Sequence, residues 1–227
     1  MSAKTKKVTT VLVLLALAVV ALGIVWLQFG PQPTAGEKSI TISAKVKTIG
    51  QSAFAGCTSL TDVVFTDGCR VTSIPTSAFD GDNSLTSVNL PSTVTSIGNY
   101  AFRNTAITAV ELKNVSSIGT EAFLGCSSLK SAAVSGKLLT VGARAFSGCS
   151  ALESINLTTG LKSIGEMAFA DCTSLKAINL PSTLTTLSGN PFSGCSGVTS
   201  FTVDSGNKSF KYKDGALFDK TGFTLIY

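Results

Sequence analysis

Apolar positions recur along this chain in one fixed phrase. A phenylalanine stands at Phe54, Phe79, Phe102, Phe123, Phe146, Phe169 and Phe192, with successive anchors 25, 23, 21, 23, 23 and 23 residues apart. A period in this range marks stacked structural units, each too small to bury its own apolar face. Aligned on the anchors, the unit reads Phe-x-Gly-Cys-x-Ser-Leu-x-x-(Val/Ile)-x-Leu-Pro-Ser-x-(Val/Leu)-x-x-Ile-Gly-x-x-Ala.

The pairs Val63/Phe65, Val88/Leu90, Val110/Leu112, Ala132/Val134, Ile155/Leu157, Ile178/Leu180 and Phe201/Val203 alternate with period two. Each pair therefore faces inward from a short strand, and stacking pairs these strands into a parallel sheet. A second apolar pair follows in each unit, at Val46/Ile49, Val71/Ile74, Val94/Ile97, Val115/Ile118, Leu138/Val141, Leu161/Ile164 and Leu184/Leu187. Gly50, Gly98, Gly119, Gly142 and Gly165 close most of these second strands with a turn. The few residues left before the next phenylalanine suffice for a single helical turn. The pattern predicts a β-rich repeat solenoid of about seven coils of about 23 residues over residues 37–207. Ile40 and Ile42 begin it, and residues 208–227 form a β-hairpin cap turning at Asp214-Gly215.

Residues 8–29, VTTVLVLLALAVVALGIVWLQF, carry no charge. As a helix this run reaches about 33 Å, enough to cross a bilayer core of about 30 Å. Lys4, Lys6 and Lys7 precede it and no charge follows until Glu37, so the positive-inside bias keeps residues 1–7 cytoplasmic and the repeats outside. Two readings stay open: a transmembrane signal anchor joined to the repeats by residues 30–36, or a signal peptide cleaved near Gly23 after the small-x-small sequence Ala21-Leu22-Gly23, leaving a secreted protein.

Composition narrows the function classes. Removing Lys4, Lys6 and Lys7 from the 18 basic residues leaves 15 against 13 acidic ones, too even a balance to favour nucleic acid. The chain has no histidine, which removes Ser/His/Asp and Cys/His nucleophile sets and the commonest metal ligand. No catalytic residue, cofactor or metal site is expected. Asp80-Gly81-Asp82-Asn83 suggests a calcium loop, but position twelve, where a bidentate glutamate belongs, is Pro91; a solvated turn is the simpler reading.

Cys57, Cys126, Cys149, Cys172 and Cys195 share one slot of different coils and should form a buried column. Neighbouring coils would hold the last four about 5 Å apart, so a thiol ladder and one or two disulfides are both open. Cys69 lies in a two-residue insertion and is expected to be the exposed thiol. Asn114, Asn156 and Asn207 head Asn-x-Ser/Thr sequons, candidate glycosylation sites if the chain leaves a eukaryotic cytoplasm.

The outward slots around the first strand are Asp62, Val64, Ser87, Asn89, Ala109, Glu111, Ser131, Ala133, Ser154, Asn156, Ala177, Asn179, Ser200 and Thr202. They are mostly small and polar, an open face for a broad partner, without the aromatic or arginine anchors that mark a hot spot.

Ala-Phe-Ser-Gly-Cys-Ser-Ala-Leu-Glu-Ser-Ile-Asn-Leu, at residues 145–157, and Leu-Lys-Ser-Ile-Gly-Glu-Met-Ala-Phe after it resemble the BspA-type leucine-rich repeat family. The resemblance covers residues 37–227, including a terminal Tyr-Lys-Asp-Gly-Ala-Leu-Phe-Asp-Lys like the hairpin that ends such arrays. Asp82 and Thr105 depart from it by standing where cysteine is usual. The resemblance implies a curved repeat solenoid at a cell surface or secreted, acting in adhesion to proteins, matrix or other cells. The expected function is thus adhesion or protein binding through the sheet face, with a ligand-free surface coat or spacer as the alternative.

Overall fold

The computed structural model describes residues 36–222, and the apolar segment 8–29 lies outside them. Sixteen strands, numbered in chain order, fall into two series and a terminal pair. The first series comprises β1 (Ser39–Ile42), β2 (Asp62–Phe65), β4 (Ser87–Asn89), β6 (Ala109–Leu112), β8 (Ser131–Val134), β10 (Ser154–Ile155), β12 (Ala177–Leu180) and β14 (Ser200–Val203). The second comprises β3 (Ser73–Ile74), β5 (Ser96–Ile97), β7 (Ser117–Ile118), β9 (Thr140–Val141), β11 (Ser163–Ile164) and β13 (Thr186–Leu187). The chain thus winds as a β-solenoid of about seven turns of about 23 residues, as the period requires.

The second series forms one continuous six-stranded parallel sheet in which Ile74, Ile97, Ile118, Val141, Ile164 and Leu187 lie in register. The first series is instead interrupted, running β1-β2-β4, then β6-β8-β10, then β12-β14. The first interruption sits beside the coil that loses residues, where anchors Phe102 and Phe123 are 21 apart. Single backbone bonds still bridge both gaps, from Thr108 N to Thr86 O at 3.3 Å and from Lys176 N to Glu153 O at 3.2 Å.

The anchors line the core as one pile of rings. From Phe54 to Phe192, consecutive ring centroids are 5.1 to 5.6 Å apart with planes within 10° of parallel. Phe201 ends the pile by meeting Phe192 edge-on at 83°, and Tyr212 of the hairpin β15 (Phe210–Lys213) and β16 (Ala216–Asp219) stacks on Phe201 at 4.9 Å. The strand pairs and the Ile-Gly isoleucines fill the rest of the core, most of them fully buried.

Among the described residues no helix is present, so the expected helical turn ahead of each anchor is something else. Ser52, Ser77, Tyr100, Glu121, Arg144 and Met167, each two residues before its phenylalanine, have φ between 52° and 59°. A left-handed residue there breaks any right-handed helical run, and the segment is built from tight turns such as Ala53 N to Gly50 O and Cys57 N to Phe54 O. The same backbone explains the glycine before each cysteine slot. Gly56, Gly81, Gly125, Gly148 and Gly194 have φ of 72° to 79°, and the two coils without glycine place Asn104 and Asp171 there, at 56° and 59°. Gly142 has a different reason: a Cβ on it would lie 2.6 Å from the backbone of Gly119 and Thr120 in the preceding coil.

Candidate functional site

Parallel register sorts the outward slots of the first series into two columns. Asp62 pairs with Ser87, Ala109 with Ser131, Ser131 with Ser154, and Ala177 with Ser200. Beside them Val64 pairs with Asn89, Glu111 with Ala133, and Asn179 with Thr202, while Asn156 follows β10 at the matching position. Every one of the fourteen is exposed except Asp62, which is partly buried and accepts the Thr61 hydroxyl on Oδ2 at 2.6 Å. Inward and outward residues alternate because strand side chains do, so the face is a direct product of the period-two pattern.

The face carries little fixed charge. Glu111 pairs with Lys113 at 2.7 Å in open solvent, a contact that adds little. The hydroxyl of Thr202 donates to Oδ1 of Asn179 at 3.1 Å, and Val64, 46 % exposed, is its largest apolar group. Strand breaks after β4 and β10 divide the columns into three patches rather than one unbroken surface.

Two further surfaces were not singled out by sequence reasoning. The second sheet presents an in-register file of hydroxyls, Ser73, Ser96, Ser117, Thr140, Ser163 and Thr186. The signal for it was the hydroxyl residue immediately before each buried or partly buried aliphatic residue of the second strands. The other surface lies on the turns, where Arg103 donates from Nε to Asp80 Oδ1 at 2.9 Å and from Nη2 to Oδ2 at 2.6 Å. Arg103 also lies 3.6 Å from Glu121 and 4.7 Å from the Tyr100 ring centroid. Its signal was opposite charge in the same slot, one residue after successive anchors.

The Asp80–Asn83 segment, expected as a solvated turn, is solvated only in part. The Asp80 carboxylate is held by Arg103, and Asp82 is fully buried, accepting the Cys57 backbone N–H on Oδ1 at 2.7 Å. Asp82 fills the column position of a cysteine and therefore points into the stack.

The cysteine column is present, and its thiols have a common job. Cys126, Cys149, Cys172 and Cys195 donate to the carbonyls of Phe102, Phe123, Phe146 and Phe169, each in the preceding coil, at 3.0 to 3.2 Å. All six cysteines are thiols rather than bridges. Burial pushes Cys126 up to about 11 and Cys149 well above the usual thiol range. A hydrogen bond in which Cys172 keeps the proton beside Cys195, then burial, raises Cys172. Cys69 corrects an expectation: it is 3 % exposed, because the Gly68 turn, with Cys69 N bonded to Thr66 O, carries the chain back inward. Cys57 is the more open thiol, pushed to about 11 by burial and by Asp82.

The three sequons part company. Asn156 is exposed, and Asn114 is partly exposed, its Nδ2 donating to Ser92 O at 2.7 Å. Asn207 is 2 % exposed and all its amide capacity is used: Nδ2 donates to Pro181 O and Leu184 O, and Oδ1 accepts from Ser209 and Phe210 N–H. A glycan on Asn207 is incompatible with this structure. The residue is the clamp between solenoid and hairpin.

Among solved structures, the chain is similar to a leucine-rich repeat protein from Bacteroides ovatus, at 24 % identity over 73 % of this chain and 55 % of that one, with a TM-score of 0.53. This chain therefore spans about half the length of that structure, and the likeness is one of fold. It is also similar to the pneumococcal vaccine antigen PcpA, at 27 % identity over 84 % of this chain and 36 % of that one, with a TM-score of 0.34. A leucine rich cell surface protein from Faecalibacterium prausnitzii matches at 19 % identity over 74 % and 79 % of the two chains, with a TM-score of 0.40. No curated protein matches the chain. Residues 34–149 and 95–220 match the BspA type leucine rich repeat region in six copies, spanning the whole array of stacked phenylalanines, and the chain belongs to that family.

Proposed function

We propose that this is an extracytoplasmic leucine-rich repeat protein, held at a membrane by residues 8–29, that binds a protein, matrix or cell-surface partner through the outward face of its first strand series. Binding, not catalysis, is the activity. The observation that carries the reading is the two exposed columns, Asp62 to Ser200 and Val64 to Thr202, in register within each of three strand groups, which give a broad partner access to small polar groups. The charge-free segment behind three lysines and membership of a repeat family support the setting.

One observation favours a second reading, a coat or spacer element without a specific ligand. None of the fourteen slots carries an aromatic or arginine side chain, the usual anchors of a tight interface. The two readings separate in a binding titration of the repeat region against intact cells and immobilised matrix proteins. Saturable binding lost on combining Asn89→Arg, Glu111→Arg and Asn179→Arg supports a binding face. No saturable binding, or binding indifferent to the three changes, sinks it in favour of the spacer.

A further inference from the structure

Asp82 stands where four other coils place a hydrogen-bond donor to the coil before. In four coils a thiol fills this slot and donates to the phenylalanine carbonyl of the coil before it. By the same register the carbonyl facing coil two is that of Phe54. A protonated carboxyl can donate as a thiol does, whereas a carboxylate can only accept. Oδ1 is already occupied by the Cys57 N–H, while Oδ2 is buried with no hydrogen-bond partner among the described residues. The ionised form is therefore left with a charged oxygen in a dry slot, and the acid form is not.

The surrounding groups do not rescue the charge. From the coil before, the side chain that faces Asp82 is the Cys57 thiol; from its own turn, the charged neighbour is Asp80, of like sign. The next coil offers Thr105, whose hydroxyl donates to Phe102 O, and Arg103, whose guanidinium is taken by Asp80 and Glu121. We propose that Asp82 is a proton-dependent latch between the first and second coils, closing the N-terminal end of the solenoid in acid and loosening it in alkali. The latch is independent of which face, if any, binds a partner.

The direction follows from linkage. Burial, against the pull of the Cys57 and Gly56 N–H groups, raises the Asp82 carboxyl from 3.8 to about 7 in the folded chain. A carboxyl whose folded value is raised holds its proton while the unfolded chain has lost it, so its contribution is fully present below 3.8 and falls away as pH rises through about 7. Coils one and two should therefore open more readily with rising pH, and coils four to six should not share the change.

The test is hydrogen exchange of the full-length chain in detergent micelles at about pH 5 and about pH 8, corrected for intrinsic rates, for the natural protein and for Asp82→Cys, which restores the column. The expected result is a loss of protection of about tenfold or more at residues 53–62 and 78–86 of the natural protein relative to coils four to six, absent from Asp82→Cys. An equal pH response in the two proteins overturns the latch. Should Asp82→Cys not fold, Asp82→Asn takes its place with the same two outcomes. Titration of the Asp82 carboxyl by carbon-13 NMR reads the group itself: a midpoint near 7 supports the latch, and one near 4 overturns it.

Discussion

Arg103 grips Asp80 across neighbouring coils through two parallel hydrogen bonds, Nε to Oδ1 at 2.9 Å and Nη2 to Oδ2 at 2.6 Å. The pair is partly exposed, 34 % and 17 % at the side chains, so solvent screens it, yet fork-to-fork geometry is the arrangement in which a surface pair counts. A double-mutant cycle with Arg103→Ala and Asp80→Ala should give a coupling energy of about 1 kcal/mol in urea unfolding, shrinking in high salt. Glu121 keeps a second claim on Arg103, so Asp80→Ala alone should cost less than Arg103→Ala.

The phenylalanine pile predicts a position effect. Phe146 is fully buried with a ring stacked on each side, and Phe146→Ala should cost about 3 to 5 kcal/mol in chemical denaturation. Among the described residues Phe54, 5 % exposed, stacks on Phe79 alone, so Phe54→Ala should cost measurably less. Equal losses at the two positions would mean that the rings do not share their stabilisation along the pile.

Asn207 should behave as a clamp. Asn207→Ala strands the Leu184 carbonyl and the Ser209 and Phe210 N–H groups at the hairpin junction, while Pro181 O keeps the Leu184 N–H; each such buried group costs about 1 to 3 kcal/mol if water cannot replace the bond. Amides of residues 210–219 should lose exchange protection while those of residues 146–170 keep theirs. Expressed in a glycosylating host, the protein should carry sugar at Asn156 or Asn114 and none at Asn207, which peptide mass mapping would read directly.

The thiols set an alkaline limit. Cys57 is raised from 9.0 to about 11 when folded, so its contribution to stability is complete below about 9 and is lost as pH climbs through about 11. Near pH 8 the native Cys57 thiol should react with an aromatic disulfide about a hundredfold more slowly than in denaturant, and should respond as pH climbs toward 11. Fast reaction of Cys69 in the native protein would contradict its burial.

Much of this architecture was legible because it repeats. Phe146, Val110 and Ile164 each occupy a slot seen several times, so position alone gave their burial. What was not legible came from single departures. Cys69 follows an insertion, and only the turn at Gly68 decides whether the extra residues bulge out or fold back. Asn207 satisfies a sequon and a buried clamp with the same amide, and sequence distinguishes neither. The left-handed φ at Ser52 and Arg144 has no compositional mark, since neither is glycine, and so a string of turns passed for a helical turn. At the outward face of the first strand series the columns followed from alternation, but the gaps after β4 and β10 depend on how far each coil's strand extends.

The thiol bonds all run the same way, each from one coil to the carbonyl of the coil before it. A whole unit of this kind can be added between Phe146 and Phe169 with every donor still meeting an acceptor, while the distance between the two ends grows by one ring spacing of about 5 Å. Length is therefore the free variable of this molecule. It is a ruler with a head and a tail, graduated by phenylalanine, and its reach can be reset by whole divisions without rewriting any of them.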